Sequence, residues 1–136
     1  MTTPPAPLLL DTSVVSLFFK KNDTRAPLYL PDLQGKLLAI SFVTVAELKR
    51  WVISRRWGQT RIDEIDRRLR LMVTLPYTDA VALQWARIQA DTPRSENDAW
   101  IAACALAYGL TLVTDDKGFE GIRGLTIISH HSEDPS

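Results

Sequence analysis

Residues 95–116 read SENDAWIAACALAYGLTLVTDD, and this stretch decides the fold. After its first turn the segment 95–108 is apolar nearly all round, the mark of a buried helix, and its alanines allow close packing on a sheet. Gly109 supplies the helix stop. Residues 110–114 (LTLVT) are a short hydrophobic strand, and Asp115 and Asp116 follow it directly. A buried helix feeding a buried strand that ends in acids is the pattern of an α/β protein.

Working outward, residues 7–10 (PLLL) form another short buried strand, closed by Asp11. Residues 12–21 (TSVVSLFFKK) are helical with a basic end. Residues 22–36, rich in Pro, Asp and Gly, read as loop, 37–41 (LLAIS) as a second buried strand and 44–56 as a helix. Residues 60–72 make the clearest amphipathic helix: Ile62, Ile65, Leu69 and Met72 keep the three-and-four spacing. Thr60 can cap it, and Asp63–Arg67, Glu64–Arg68 and Asp66–Arg70 are i,i+4 pairs on its polar face. Asp79 can cap a further helix running to about Gln89, and residues 125–128 are a last strand. This alternation predicts a mainly parallel central sheet with helices on both faces.

At 136 residues the chain fits one domain, 1–136, with frayed tails at 1–6 and 132–136. The apolar fraction of 46% and the charged fraction of 24% are those of a globular protein, which excludes general disorder. One cysteine, Cys104, excludes an internal disulfide and a cysteine-rich zinc site. Leu8–Leu10 is too short to span a membrane, and no basic segment precedes it, so the cytoplasm is the expected location. Net charge is zero, yet ten of the sixteen basic residues fall between Lys36 and Arg87. Positive field is therefore local rather than global.

Four acids do not fit a plain surface. Asp11 and Asp116 (with Asp115 beside it) follow strands, at the edge where open parallel sheets bind ligands. Glu47 shares a helix face with Val43 and Trp51. Asp98 opens the buried helix. Each has an ordinary reading: Asp11 and Asp98 as helix caps, Glu47 as a partner of Arg50, Asp116 as a turn residue. Together they are acids at element ends in an order a parallel sheet can gather. Converging carboxylates repel unless protonated or bound to cations. An oxygen-only set favours Mg²⁺ or Mn²⁺ over zinc, and the matching chemistry is phosphoryl transfer. His130-His131 reads as a solvated surface pair.

At this point the spacing resembles a known family, the PIN-domain ribonucleases, and among them the VapC toxins of VapBC toxin–antitoxin pairs. The matching stretches are 8–14 (LLLDTSV), 41–48 (SFVTVAEL), 97–109 (NDAWIAACALAYG) and 110–119 (LTLVTDDKGF). The resemblance implies a PIN-like three-layer α/β/α domain that cleaves RNA, often tRNA or rRNA, and inhibits translation. It implies Asp11, Glu47 and Asp98 as metal ligands and catalytic acids, with Asp116 as the fourth and Asp115 as the second choice. Thr12 or Ser13, and Thr114, would be polar support. A VapB-like antitoxin and a homodimer are the implied partners.

The residues leave other readings open: a housekeeping PIN nuclease without an antitoxin, a non-catalytic RNA- or protein-binding domain, or another Mg²⁺ phosphotransfer enzyme. The last is disfavoured because Asp11-Thr12-Ser13 lacks the second acid of a D-x-D nucleophile. Arg55 and Arg56 are the expected RNA-phosphate contacts. Trp51, Trp57, Trp85 and Trp100 are the candidate anchors of a dimer surface.

Overall fold

A computed structural model describes residues 5–135. In chain order the elements are β1 (Leu8–Leu10), α1 (Thr12–Phe19), α2 (Ala26–Leu33), β2 (Leu38–Ser41), α3 (Phe42–Ser54), α4 (Gln59–Leu69), β3 (Val73–Leu75), α5 (Asp79–Asp91), α6 (Glu96–Tyr108), β4 (Leu112–Val113), a 3-10 turn (Lys117–Phe119) and β5 (Ile127–Ile128). The strands form one five-stranded sheet in the order β3-β2-β1-β4-β5, and every pairing is parallel.

Side chains alternate across each strand, so neighbouring residues feed opposite faces. Leu9, Ala39 and Leu112 join a cluster with Val81 and Ile88 of α5 and Ile101 of α6. Their neighbours Leu10, Ile40 and Val113 join a second cluster with Val14 of α1, Tyr29 of α2 and Leu48 of α3. The short strands are hydrophobic without alternation because both faces are covered. Helix α6 bears out the reading of its sequence: Ala99, Ile101, Ala102, Ala103, Cys104 and Ala105 are all buried. It ends on Gly109, whose φ of 69° is the left-handed conformation that only glycine adopts without strain.

The structure corrects the expected elements at several points. Residues 22–36 are not mostly loop. They carry α2, which tolerates Pro27 in its first turn and holds Pro31 on an exposed position. Strand β3 was not expected at all; it is an edge strand whose first two residues are exposed. Helix α3 begins at Phe42 rather than residue 44, because the Ser41 hydroxyl accepts the N–H groups of Val43 and Thr44. Gly58, not Thr60, stands at the N-cap of α4, and Thr78, not Asp79, caps α5. Of the expected ion pairs on α4, Glu64–Arg68 closes at 3.1 Å. Of the expected tails, residues 1–4 and 136 lie outside the described residues, and 5–6 and 132–135 are exposed.

Chain direction reverses sideways at β1. The chain moves from β1 to β2 and β3 on one side, then returns to lay β4 and β5 on the other. The crevice beyond the carboxyl ends of β1 and β4 is thus the switch point, where open α/β sheets bind ligands.

Candidate active site

That crevice is a groove of about 340 Å³ lined by Asp11, Thr12, Ser13, Ser16, Lys20, Glu47, Trp51, Arg55, Asn97, Asp98 and Asp116. All four acids singled out in the sequence face it. They come from separate elements: the end of β1, the middle of α3, the first turn of α6 and the turn after β4.

Asp11 is buried, at 4% exposure. It stands at the N-cap position of α1, yet its side chain makes no capping bond. Its Oδ2 instead accepts the hydroxyls of Ser13 and Thr114, each at 2.7 Å. Burial pushes its carboxyl up to about 6 against the pull of these two hydroxyls, and the Asp98 charge adds to the rise. Asp98 is also raised, chiefly by burial, then by the charges of Asp116 and Glu47. Glu47 bonds to α1 rather than to Arg50: Oε1 accepts the Thr12 hydroxyl at 2.7 Å, and Thr12 lies 2.9 Å from the Thr44 hydroxyl. Asp116 is exposed and does hold its own turn, with Oδ1 accepting the Gly118 N–H at 2.9 Å. Thr114 ties the two strands' acids together, donating to Asp11 and accepting the Asp116 N–H at 3.0 Å.

Gly118 lies close against two of these acids. A Cβ there would come within 2.9 Å of Asp98 Oδ2 and 3.4 Å of Asp116 Oδ1, so the space beside these two carboxylates depends on a residue without a side chain. Among the described residues no three His, Cys, Asp or Glu side chains already stand as a closed ligand cluster. The acids line the groove rather than meet at one point. Their donor chemistry, carboxylate and hydroxyl oxygen only, suits a hard divalent cation, and two of the carboxyls carry the raised protonation that a cation would relieve.

Residues 8–125 match the PIN domain family, covering every element from β1 up to the last strand. The chain belongs to the PIN-domain family. It is 32% identical to Ribonuclease VapC5 of Mycobacterium tuberculosis over 131 residues, 91% of this chain and 93% of that protein. Among solved structures, the VapBC-5 toxin–antitoxin structure of Mycobacterium tuberculosis is 30% identical with a TM-score of 0.62, covering 92% of this chain and 98% of that one. VapBC2 of Rickettsia felis, solved bound to a DNA fragment from the promoter, has a TM-score of 0.80 at 21% identity, covering 91% and 98%.

In this PIN domain the second-choice acid, Asp115, turns away from the groove. Arg25 of the α1–α2 connection grips it with Nε to Oδ2 and Nη2 to Oδ1, both at 2.7 Å, and the buried Tyr29 hydroxyl donates to Oδ1 at 2.5 Å. Arg25 and Tyr29 together hold the Asp115 carboxyl below its ordinary range. Its backbone still serves the site, since its N–H donates to the Ser13 hydroxyl at 3.1 Å. Of the expected RNA contacts, Arg55 lines the groove and Arg56 does not.

The histidines are not a solvated pair. His130 is half-buried against Tyr29, with Nε2 2.7 Å from Asp32 and Nδ1 on Glu133. Sequence reasoning also missed Thr44, Lys20, Ser16 and Asn97 as groove or support residues. Lys20 had a signal, the basic end of α1; the others are polar residues on helices, which composition cannot separate from ordinary surface.

Proposed function

We propose that this PIN domain is a divalent-metal-dependent endoribonuclease, the toxin of a VapBC-type toxin–antitoxin pair. It cleaves cellular RNA such as tRNA or rRNA, inhibits translation, works in the cytoplasm as a homodimer and is neutralised by a VapB-like antitoxin. One observation carries the reading: four carboxylates from four elements face one groove at the sheet's switch point, and neighbouring hydroxyls hold two of them, Asp11 and Glu47. Similarity to a ribonuclease of 32% identity and to toxin–antitoxin structures supports it. Among the described residues no helix is long and apolar enough to cross a membrane.

Asp11, Glu47, Asp98 and Asp116 would hold Mg²⁺ or Mn²⁺. A cation bound there supplies positive charge to the phosphate and activates water as the nucleophile. Ser13 and Thr114 fix the Asp11 carboxylate, and Thr12 fixes Glu47, so these two acids are oriented before substrate arrives. Purified protein should cleave an RNA panel with Mg²⁺ or Mn²⁺, leave 3′-hydroxyl and 5′-phosphate ends, and stop in EDTA. Cleavage that persists in EDTA, or cyclic phosphate products, would sink this reading.

A further inference from the structure

We propose that Arg55 binds a phosphate of the RNA next to the one being cut, and that Trp51 and Trp57 are the positioning residues that hold its guanidinium; the proposal rests on the ribonuclease reading above.

The argument begins where α3 ends. Arg55 caps the helix, and Arg56 takes a left-handed conformation with φ of 51°, a place where glycine is the unstrained choice. That turn sends the chain back, and the Trp57 N–H returns to the Val52 carbonyl at 3.1 Å. Trp57 therefore comes against the side chain of Arg55, two residues before it. The Arg55 guanidinium carbon lies 4.7 Å from the Trp51 ring centre and 5.6 Å from that of Trp57. Arg61, from the first turn of α4, covers Trp57 as well, at 4.0 Å.

Stacking occupies the faces of a guanidinium and leaves its in-plane N–H donors available. Arg55 is exposed and shares its groove with four carboxylates, yet among the described residues it forms no ion pair. A free arginine beside four acids would close onto one of them. The two indoles hold this one in place, with its fork unspent. A forked donor fits the paired oxygens of a phosphodiester. A chain of zero net charge that admits a polyanion into an acid-lined groove needs fixed cations at the rim. Lys20 lines the same groove as a flexible point charge, whereas Arg55 is the one with its geometry set.

The competing account is that these stacks merely seal the α3–α4 corner. Binding of a single-stranded RNA oligonucleotide, followed by anisotropy in Mg²⁺ on an Asp98→Asn background, separates the two. Loss of a charge-assisted pair should weaken binding about ten- to a hundredfold in Arg55→Gln. Arg55→Lys should recover only part, and the salt slope in Arg55→Gln should flatten by about one phosphate contact. Trp57→Ala should weaken binding less, and the double variant should bind no worse than Arg55→Gln alone. An RNA with one uncharged methylphosphonate beside the cut site should lose affinity for the parent but not for Arg55→Gln. Melting curves on every variant report folding separately. Unchanged binding and salt slope in Arg55→Gln, or losses from Arg55 and Trp57 that simply multiply, would overturn the proposal. Absence of EDTA-sensitive cleavage by the wild-type protein would instead count against the ribonuclease reading, since the binding readout does not need turnover.

Discussion

Asp98 shows how a single residue separates a site from a scaffold. In sequence it could be a capping acid, and it does lie in the first turn of α6, beside Ser95. A capping acid enjoys the helix dipole and ionises easily. Here burial, aided by the charges of Asp116 and Glu47, outweighs the Ser95 hydrogen bond and the Arg94 charge and opposes ionisation. Asp98→Asn keeps the shape and removes one charge from a repelling group. The expected outcome is loss of cleavage with a metal-free fold as stable as the parent, or more so. Mg²⁺ should raise the parent's melting temperature and the variant's less; at a dissociation constant of about 1 mM, about 10 mM Mg²⁺ stabilises by roughly 1.4 kcal/mol. A pure cap would instead cost on the order of 1 kcal/mol and show no metal dependence. The acids were legible because a carboxylate directly after a hydrophobic strand, or opening a buried helix, contradicts its surroundings. Thr44 was not, since a hydroxyl near the start of α3 looks like any helix residue until the structure sets it 2.9 Å from Thr12.

Among the elements, α2 explains how the turn after β4 is held. Its Tyr29 hydroxyl donates to Asp115, lies 3.1 Å from the Thr114 carbonyl, and accepts the His130 N–H at 3.0 Å. Arg25 donates to the His130 carbonyl as well as to Asp115. The turn bearing Thr114 and Asp116 is thus fastened from behind to α2 and to the segment after β5. Tyr29→Phe leaves the buried Thr114 carbonyl and the half-buried Asp115 and His130 short of a hydroxyl and should destabilise by about 1–3 kcal/mol; a melting temperature equal to that of the parent would count against the fastening. The same segment should titrate. Asp32 and Glu133 raise the His130 imidazole above its ordinary value of 6.5, against burial, while Arg25 meets only its carbonyl. A raised folded value means stabilisation that is complete below about 6.5 and fades as pH climbs through the folded value. Thermal melts of the metal-free protein should therefore fall above that pH, and His130→Gln should flatten the fall. Neither α2 nor β3 was legible for physical reasons. Two prolines mask a helix that uses one of them in its first turn, and a three-residue edge strand with two exposed positions has no periodicity to detect. The parallel sheet was legible because its inner strands, covered on both faces, must be continuously apolar.

Over the whole molecule, the four tryptophans divide into two pairs with different surroundings. Trp51 and Trp57 are covered by arginines of the same chain, Trp51 by Arg55 and Trp57 by Arg55 and Arg61. Trp85 and Trp100 instead gather with Phe42 and Tyr77 where α3 begins beside α5 and α6. Trp85 and Trp100 stack at 5.1 Å, and Phe42 and Tyr77 meet Trp100 edge-on at 6.1 and 6.3 Å. Tyr77 is 57% exposed, and the buried Trp85 indole nitrogen has no hydrogen-bond partner among the described residues. Rigid aromatic surface of this kind gives much contact area for little lost side-chain freedom, and such residues dominate interface energies. If a second copy covers this patch, a two-fold contact counts each residue twice. Tyr77→Glu would then place two charges in one apolar contact. Light scattering should find the parent protein dimeric at about 10 µM and the variant monomeric, a loss of at least about a hundredfold in association. Because Tyr77 is mostly exposed in the single chain, the variant's own fold should stay within about 1 kcal/mol of the parent. A parent that is monomeric at that concentration, or a Tyr77→Glu variant that remains a dimer, would move the interface off this patch.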